Sequence, residues 1–199
     1  MERALYKPLP MTRMQAGVAV QPPGAYAPKP VRADSPAIEA MTDFRHVAAA
    51  TIRATATVAR ANELMIARGV RLLLVVDADR VVAGLITARD TMGEKPINLM
   101  RERGVVHGEL TVADLMIPRA AIDVIDIGAV LRAEVGHVIA TLKEAGRQHA
   151  LVVDRDQVTR EEIVRGVFSA TQIGRQLGVP LLAFELAQTF AEIETALAR

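Results

Sequence analysis

The chain has 199 residues, 51% of them hydrophobic and none of them cysteine, which allows a packed core of one ordinary domain or two small ones and excludes disulfides, thiolate metal sites and a cysteine nucleophile. Its 24 basic and 23 acidic residues leave a formal net charge of +1, and opposite charges sit side by side, as at Arg101-Glu102-Arg103, so there is no basic footprint for nucleic acid. Aromatics are 3% with no Trp, so the core must come from Val, Leu, Ile, Ala and Met, a β-branched-rich set that favours a mixed helix and strand protein.

The N-terminus lacks a basic start followed by an apolar run, and apolar stretches such as Leu72–Val76 are too short to span a bilayer, so a cytoplasmic protein without membrane contact is expected. Residues 1–35 carry Pro8, Pro10, Pro22, Pro23, Pro28 and Pro30 with Gly17 and Gly24, a density that breaks both helix and ladder. Composition leaves two readings of this arm open: a disordered tail, or a segment lying over the body or a sister subunit. Ser35-Pro36 reads as a helix start, with Ser as N-cap and Pro in the first turn, opening a short helix toward Met41.

The most informative feature is an internal repeat. Gly69-Val-Arg-Leu-Leu-Leu-Val-Val-Asp77 returns 77 residues later as Gly146-Arg-Gln-His-Ala-Leu-Val-Val-Asp154. Each copy follows a helical pattern, Val58, Ala61, Leu64, Met65 in the first and Val135, Val138, Thr141, Leu142 in the second, that ends at a Gly suited to a C′ position. Each continues as an apolar strand, a charged turn and a second strand, Val81–Ile86 and Ile163–Phe168, with the second copy's turn five residues longer. Gly84-Leu-Ile-Thr87-Ala-Arg-Asp90 and Gly166-Val-Phe-Ser169-Ala-Thr-Gln172 then both fit a capping box, and a helix should open at each. The expected fold is α+β, with two pseudo-symmetric helix-strand-strand-helix repeats packed as one module. Its divisions are an arm over 1–35, a first motif over 36–105, a second over 106–178 and a terminal segment over 179–199.

With Ala50-Thr51-Ile52 opening the first motif and Thr57-Val58 starting its helix, these pieces in this order resemble tandem CBS-domain proteins over roughly residues 36–178. In that family two such motifs form one nucleotide-sensing module. The resemblance implies an adenosyl ligand (AMP, ADP, ATP or S-adenosylmethionine) bound in the cleft between the motifs, with the ribose held by Thr87 and Asp90; Ser169 is the counterpart of Thr87 at a second ligand position expected to be empty, altered or specific for something else. It places the adenine near Thr51 and the strand entrance at Val70, and phosphates near Arg71 and His149. An ionised Asp can accept both hydroxyls of a ribose diol through charge-assisted bonds. The same spacing suffices for a helix cap alone, so the residues leave both roles open. Gln172 replaces the acid in the second copy; it is neutral with a single acceptor oxygen, which weakens the ligand feature there.

The opening strand of the second motif is expected at Ile122–Ile125, followed by an insertion through Asp126 to Glu134. Beyond Pro180, Leu182, Leu186, Phe190, Ile193 and Leu197 mark an amphipathic helix, which either packs on its own domain or contacts a partner. The four histidines show no ligand spacing, and no catalytic Ser/His/Asp group, phosphate-cradling Gly loop or metal pair stands out, so no enzyme and no metal are expected. The functional expectation is a stand-alone regulatory module, dimeric as the family commonly is, signalling to a separate protein target. The alternative is a ligand-independent dimerisation scaffold.

Overall fold

The computed structural model describes residues 7–20 and 29–178. In chain order the arm holds two short strands, β1 (Thr12–Arg13) and β2 (Ala19–Val20), and a single 3-10 turn at Ala37–Ala40 leads into β3 (Thr42–Asp43). The first motif follows as β4 (Thr51–Ile52), α1 (Val58–Arg68), β5 (Leu72–Val76), β6 (Val82–Thr87) and α2 (Ala88–Met92), trailed by α3 (Glu94–Arg103), α4 (Val112–Leu115) and β7 (Ile117–Pro118). The second runs β8 (Asp123–Asp126), α5 (Ile127–Val130), α6 (Val135–Glu144), β9 (His149–Arg155), β10 (Glu162–Ser169) and α7 (Ala170–Gln176). The expected α+β fold with two repeats is what forms.

The local signals act as their chemistry requires. Thr57 caps α1 by accepting from the Arg60 N–H at 3.2 Å, and α1 ends at Gly69, whose φ of 62° needs no Cβ. Val58, Ala61 and Met65, spaced three and four apart, bury the inner stripe of α1. Because α1 crosses over between β4 and β5, those strands pair in parallel, whereas β5 and β6 form an antiparallel hairpin. The same plan recurs with β8 and β9 parallel across α6 and with β9 and β10 antiparallel. The five extra residues of the second copy do not all sit in its turn. Each strand of that hairpin is two residues longer than its counterpart, and the turn is longer by one.

The described residues divide into two compact units: a first-motif unit of residues 13–20 and 48–122, and a second-motif unit of residues 7–12, 29–47 and 123–178. The first-motif unit contains the four-stranded sheet β4-β5-β6-β7, and β8-β9-β10 with β3 on β10 form the matching four strands of a six-stranded sheet. The fourth strand of each is the short segment that precedes the other motif. Residues 36–47, grouped with the first motif in the sequence reading, pack with the second: β3 pairs with β10 at Gly166↔Asp43 and Val167↔Thr42. Reciprocally, β7 pairs with β6 at Gly84↔Pro118 and Leu85↔Ile117. The two borrowed strands take equivalent places, Thr42-Asp43 opposite Val167-Gly166 and Ile117-Pro118 opposite Leu85-Gly84. Gly84 and Gly166 permit it, since a Cβ there would lie 2.5 Å from the Ile117 carbonyl oxygen and 2.6 Å from that of Thr42.

The first-motif core gathers Ile52, Val58, Ala61, Met65, Leu73 and Val75 with Leu110 and Leu115; the second gathers Met41, Ile125, Val138, Leu142, Val152 and Phe168 among others. Of the two readings of the arm, the described part takes the packed one. Met14 and Val18 are buried, the Met14 N–H donates to the Ile122 carbonyl, and the Leu9 N–H donates to Thr141 Oγ1 at 2.7 Å. Ser35 is not the N-cap: its Oγ accepts from the Arg32 N–H, Pro36 occupies the cap position with φ −52°, and the segment is instead held where the Ala37 N–H donates to the Ala133 carbonyl. The opening strand of the second motif starts one residue later than expected, and the insertion contains α5, capped by Asp126. The terminal helix expected beyond Pro180 lies outside the described residues. Among the described residues no helix is long and apolar enough to cross a membrane, and no cluster of three or more His, Asp or Glu could hold a metal ion.

Candidate functional site

Strand β6 delivers Thr87 to the start of α2, where the backbone turns from extended (φ −114°, ψ 163°) into the helix. The capping box closes fully. Asp90 Oδ2 accepts from the Thr87 N–H at 2.9 Å and from the Thr87 hydroxyl at 2.6 Å, while Thr87 Oγ1 accepts from the Asp90 N–H at 3.4 Å. One carboxylate oxygen is therefore committed to Thr87. The other, Oδ1, faces Lys95 Nζ at 4.0 Å, too far for a direct hydrogen bond. Lys95 comes from the first turn of α3 and donates its own hydrogen bond to the Leu115 carbonyl, at the end of α4. Below the box, the hydroxyl of buried Thr91 donates to Asn62 Oδ1 on α1, with the Ala88 carbonyl 3.0 Å away as a second acceptor for the same proton, which ties α2 to α1.

The other expected residues of this unit lie near the same end of its sheet. Thr87 is opposite Leu72 in the hairpin register, and the Ala88 N–H donates to the Arg71 carbonyl at 3.0 Å, so Arg71 is fixed beside the box. Val70 precedes it, half-buried against the core, with its N–H on the Met65 carbonyl. Thr51 opens β4 two rungs further in, paired with Leu74. Thr51, Val70, Arg71, Thr87 and Asp90 thus belong to one unit, whereas His149 and Ser169 belong to the other.

In that second unit His149 is paired directly with Ser169 across the hairpin. This makes His149 the counterpart of Leu72, and Gln148 the counterpart of Arg71, since the Ala170 N–H donates to the Gln148 carbonyl. Arg71 and His149 are therefore not equivalent positions. Ser169 caps α7 with a 3.5 Å bond from the Gln172 N–H, and only this half of the box forms.

A second Thr-x-x-Asp box in the first-motif unit offers an internal comparison. Thr111 and Asp114 reproduce the geometry at the start of α4, with Asp114 Oδ2 accepting from the Thr111 N–H at 2.8 Å and from its hydroxyl at 2.6 Å. Here, however, the remaining oxygen is sealed by a direct hydrogen bond from Arg103. The Thr111 hydroxyl and N–H, then Arg103, hold the Asp114 carboxyl at about 2, well below its ordinary value. At Asp90 the corresponding cation stands off. The two boxes share the carboxylate's hold on its threonine and differ in the second oxygen.

Sequence reasoning missed Lys95, whose position five residues after Asp90 carries no periodic or motif signal. It also missed a buried ion cluster in the second-motif unit. Arg165 on β10 donates through Nε and Nη2 to both carboxylate oxygens of Asp43 on β3, and through Nη1 to Asp154 on β9. Burial alone would raise Asp43, but Arg165, the Arg45 N–H and the nearby positive charges pull its carboxyl below the usual value.

Residues 38–94 match the family model of the CBS domain. The fold is similar to that of an uncharacterized conserved protein from Pyrococcus horikoshii, at 17% identity and a TM-score of 0.52 over 77% of this chain and 99% of that one. It is also similar to that of CBSX2 from Arabidopsis thaliana, solved in complex with AMP, at 18% identity and a TM-score of 0.50 over 71% of this chain and 94% of that one. The chain matches no curated protein in sequence.

Proposed function

We propose that this chain, with a CBS domain matched over residues 38–94 and the fold of that domain repeated in its second half, is a regulatory module that binds an adenosyl ligand and performs no chemistry of its own. The observation that carries this reading is the unsealed Asp90. Its Oδ2 is held rigidly by Thr87, which fixes the carboxylate, while Oδ1 keeps acceptor capacity at the mouth of the box. A positioned carboxylate of this kind suits a vicinal diol, the feature shared by AMP, ADP, ATP and S-adenosylmethionine. The AMP held by CBSX2, whose fold is similar, supports the ligand class. Thr51, Val70 and Arg71 would flank the ligand from the neighbouring strand ends. In the second unit Ser169 and His149 would contribute only a neutral, half-formed box, because Gln172 replaces the acid.

Such a ligand regulates only if it binds one arrangement of the protein better than another, and the readout would be homodimer packing or affinity for a protein target. The test is thermal unfolding of wild type and Asp90→Ala with millimolar AMP, ADP, ATP or S-adenosylmethionine. A ligand at about 100 times its dissociation constant adds about 2.7 kcal/mol, and each kcal/mol moves the midpoint by about 2–4 °C in a chain of this size. A shift for at least one ligand that Asp90→Ala abolishes is expected. No shift for any of the four in the wild type overturns the reading in favour of a ligand-independent assembly scaffold.

A further inference from the structure

We propose that Lys95 and Asp90 form a donor-acceptor pair that reads one ribose hydroxyl, which makes Lys95 a specificity-determining residue of the adenosyl site; the inference rests on the function proposed above. The geometry is a gap of defined width. Lys95 Nζ and Asp90 Oδ1 are 4.0 Å apart, beyond hydrogen-bond reach of each other. A hydroxyl oxygen about 2.8 Å from each fits between them, and an alcohol is the group that can both donate to a carboxylate and accept from an ammonium. A carbonyl could accept from Lys95 but not donate to Asp90, and a methylene could do neither. The pair therefore selects a hydroxyl by chemistry as well as by size.

Both sides of the gap are held. Asp90 is fixed by the two bonds from Thr87, and the half-exposed Lys95 ammonium is directed to the Leu115 carbonyl, which leaves the 4.0 Å gap between them. The Thr111–Asp114 box is the internal contrast, where Arg103 bonds the carboxylate directly and leaves no room for a third group. Lys95 also lies on α3, one residue beyond the stretch 38–94 that matches the CBS-domain model, so the reading couples occupancy of the box to the helix that follows that stretch.

The experiment measures the dissociation constants of adenosine, which carries the adenine and 2′,3′-diol common to all four candidate ligands, and of 2′-deoxyadenosine and 3′-deoxyadenosine, for wild type and Lys95→Met. The unliganded unfolding midpoint of each protein verifies that the variant is folded. Wild type is expected to bind adenosine about tenfold or more tighter than one of the two deoxynucleosides, the usual worth of a hydrogen bond to a charged group. Lys95→Met is expected to bind adenosine about tenfold more weakly and to lose that discrimination. A variant that keeps the full wild-type discrimination overturns the role of Lys95. Equal binding of all three nucleosides by wild type also overturns it while leaving the adenosyl site standing; where only a parent ligand binds, its own 2′- and 3′-deoxy forms replace the nucleosides with the same outcomes, and a wild type that binds neither adenosine nor any of the four parent ligands overturns both.

Discussion

Arg165 grips Asp43 across 122 residues of sequence, with Nε 2.9 Å from Oδ1 and Nη2 2.6 Å from Oδ2, and with both side chains only 9% exposed. Arg165 is the extra residue of a β-bulge, since the register of β10 on β9 passes from Val164↔Val153 to Gly166↔Val152. A bulge re-aims the side chain of its unpaired residue, and here it turns the guanidinium toward β3. The equivalent bulge of the first-motif hairpin falls at Ala83, which has nothing to offer β7. The borrowed strand is thus locked by charge in one unit and by close backbone approach alone in the other.

Arg165→Met is expected to cost about 3–5 kcal/mol, because it leaves Asp43 buried without its counter-charge. Urea denaturation measures this, and a loss below about 1 kcal/mol would show that Arg45 and His46 compensate. Replacing both Arg165 and Asp43 by apolar residues should recover part of the loss, since the desolvation cost then disappears from both sides.

Acid should weaken the fold in a defined window. Asp43 and Asp114 both have folded-state values below their unfolded ones, so the native state binds fewer protons and their contribution is complete above the unfolded value of 3.8. It is lost as pH falls through the folded value, which for Asp114 is about 2. The unfolding midpoint should therefore drop between about pH 4 and pH 2, and Asp114→Asn should flatten part of that slope. An unchanged slope in the variant would mean that Asp114 is not held below its ordinary value.

Gly84→Ala and Gly166→Ala should each destabilise by about 1–3 kcal/mol, the usual cost of forcing extra volume into a packed site. In both cases the new methyl comes closest to a carbonyl oxygen of the borrowed strand, Ile117 or Thr42, which is backbone and cannot swing aside as the neighbouring Met116 or Met41 side chain can. Gly108→Ala is the control, because a Cβ there has nothing within 4 Å. Equal midpoints for all three variants would show that the borrowed strands adjust freely.

Thr87→Val and Ser169→Ala compare the two repeat caps without any ligand. Loss of a cap costs about 0.5–2 kcal/mol. Thr87 should lie at the upper end, because its box is reciprocal, and Ser169 at the lower end, because a single 3.5 Å bond is all it makes to Gln172. Thermal unfolding without nucleotide reads the difference, and a larger cost at Ser169 would contradict the ranking.

The chain alone determined the α+β class, the duplicated helix-strand-strand-helix plan and the position of each repeat cap, because those depend on local chemistry. Capping boxes close over three residues, Gly69 and Gly146 take left-handed backbone at helix ends, and alternating or continuous apolar runs declare strands without reference to distant residues. What only the tertiary structure decided is everything that depends on groups remote in sequence meeting in space. The Met41 and Met116 segments trade units because each finds its strand partner beside a glycine in the other motif, and no local signal names that partner. Arg165 reads as a surface residue until the bulge turns it inward onto Asp43. Thr87–Asp90 and Thr111–Asp114 are indistinguishable as motifs, yet a cation bonded directly in one and held 4.0 Å away in the other separates a plain helix cap from a candidate ribose site. That difference depends on where α3 carries Lys95 and Arg103, which is a matter of packing and not of spacing.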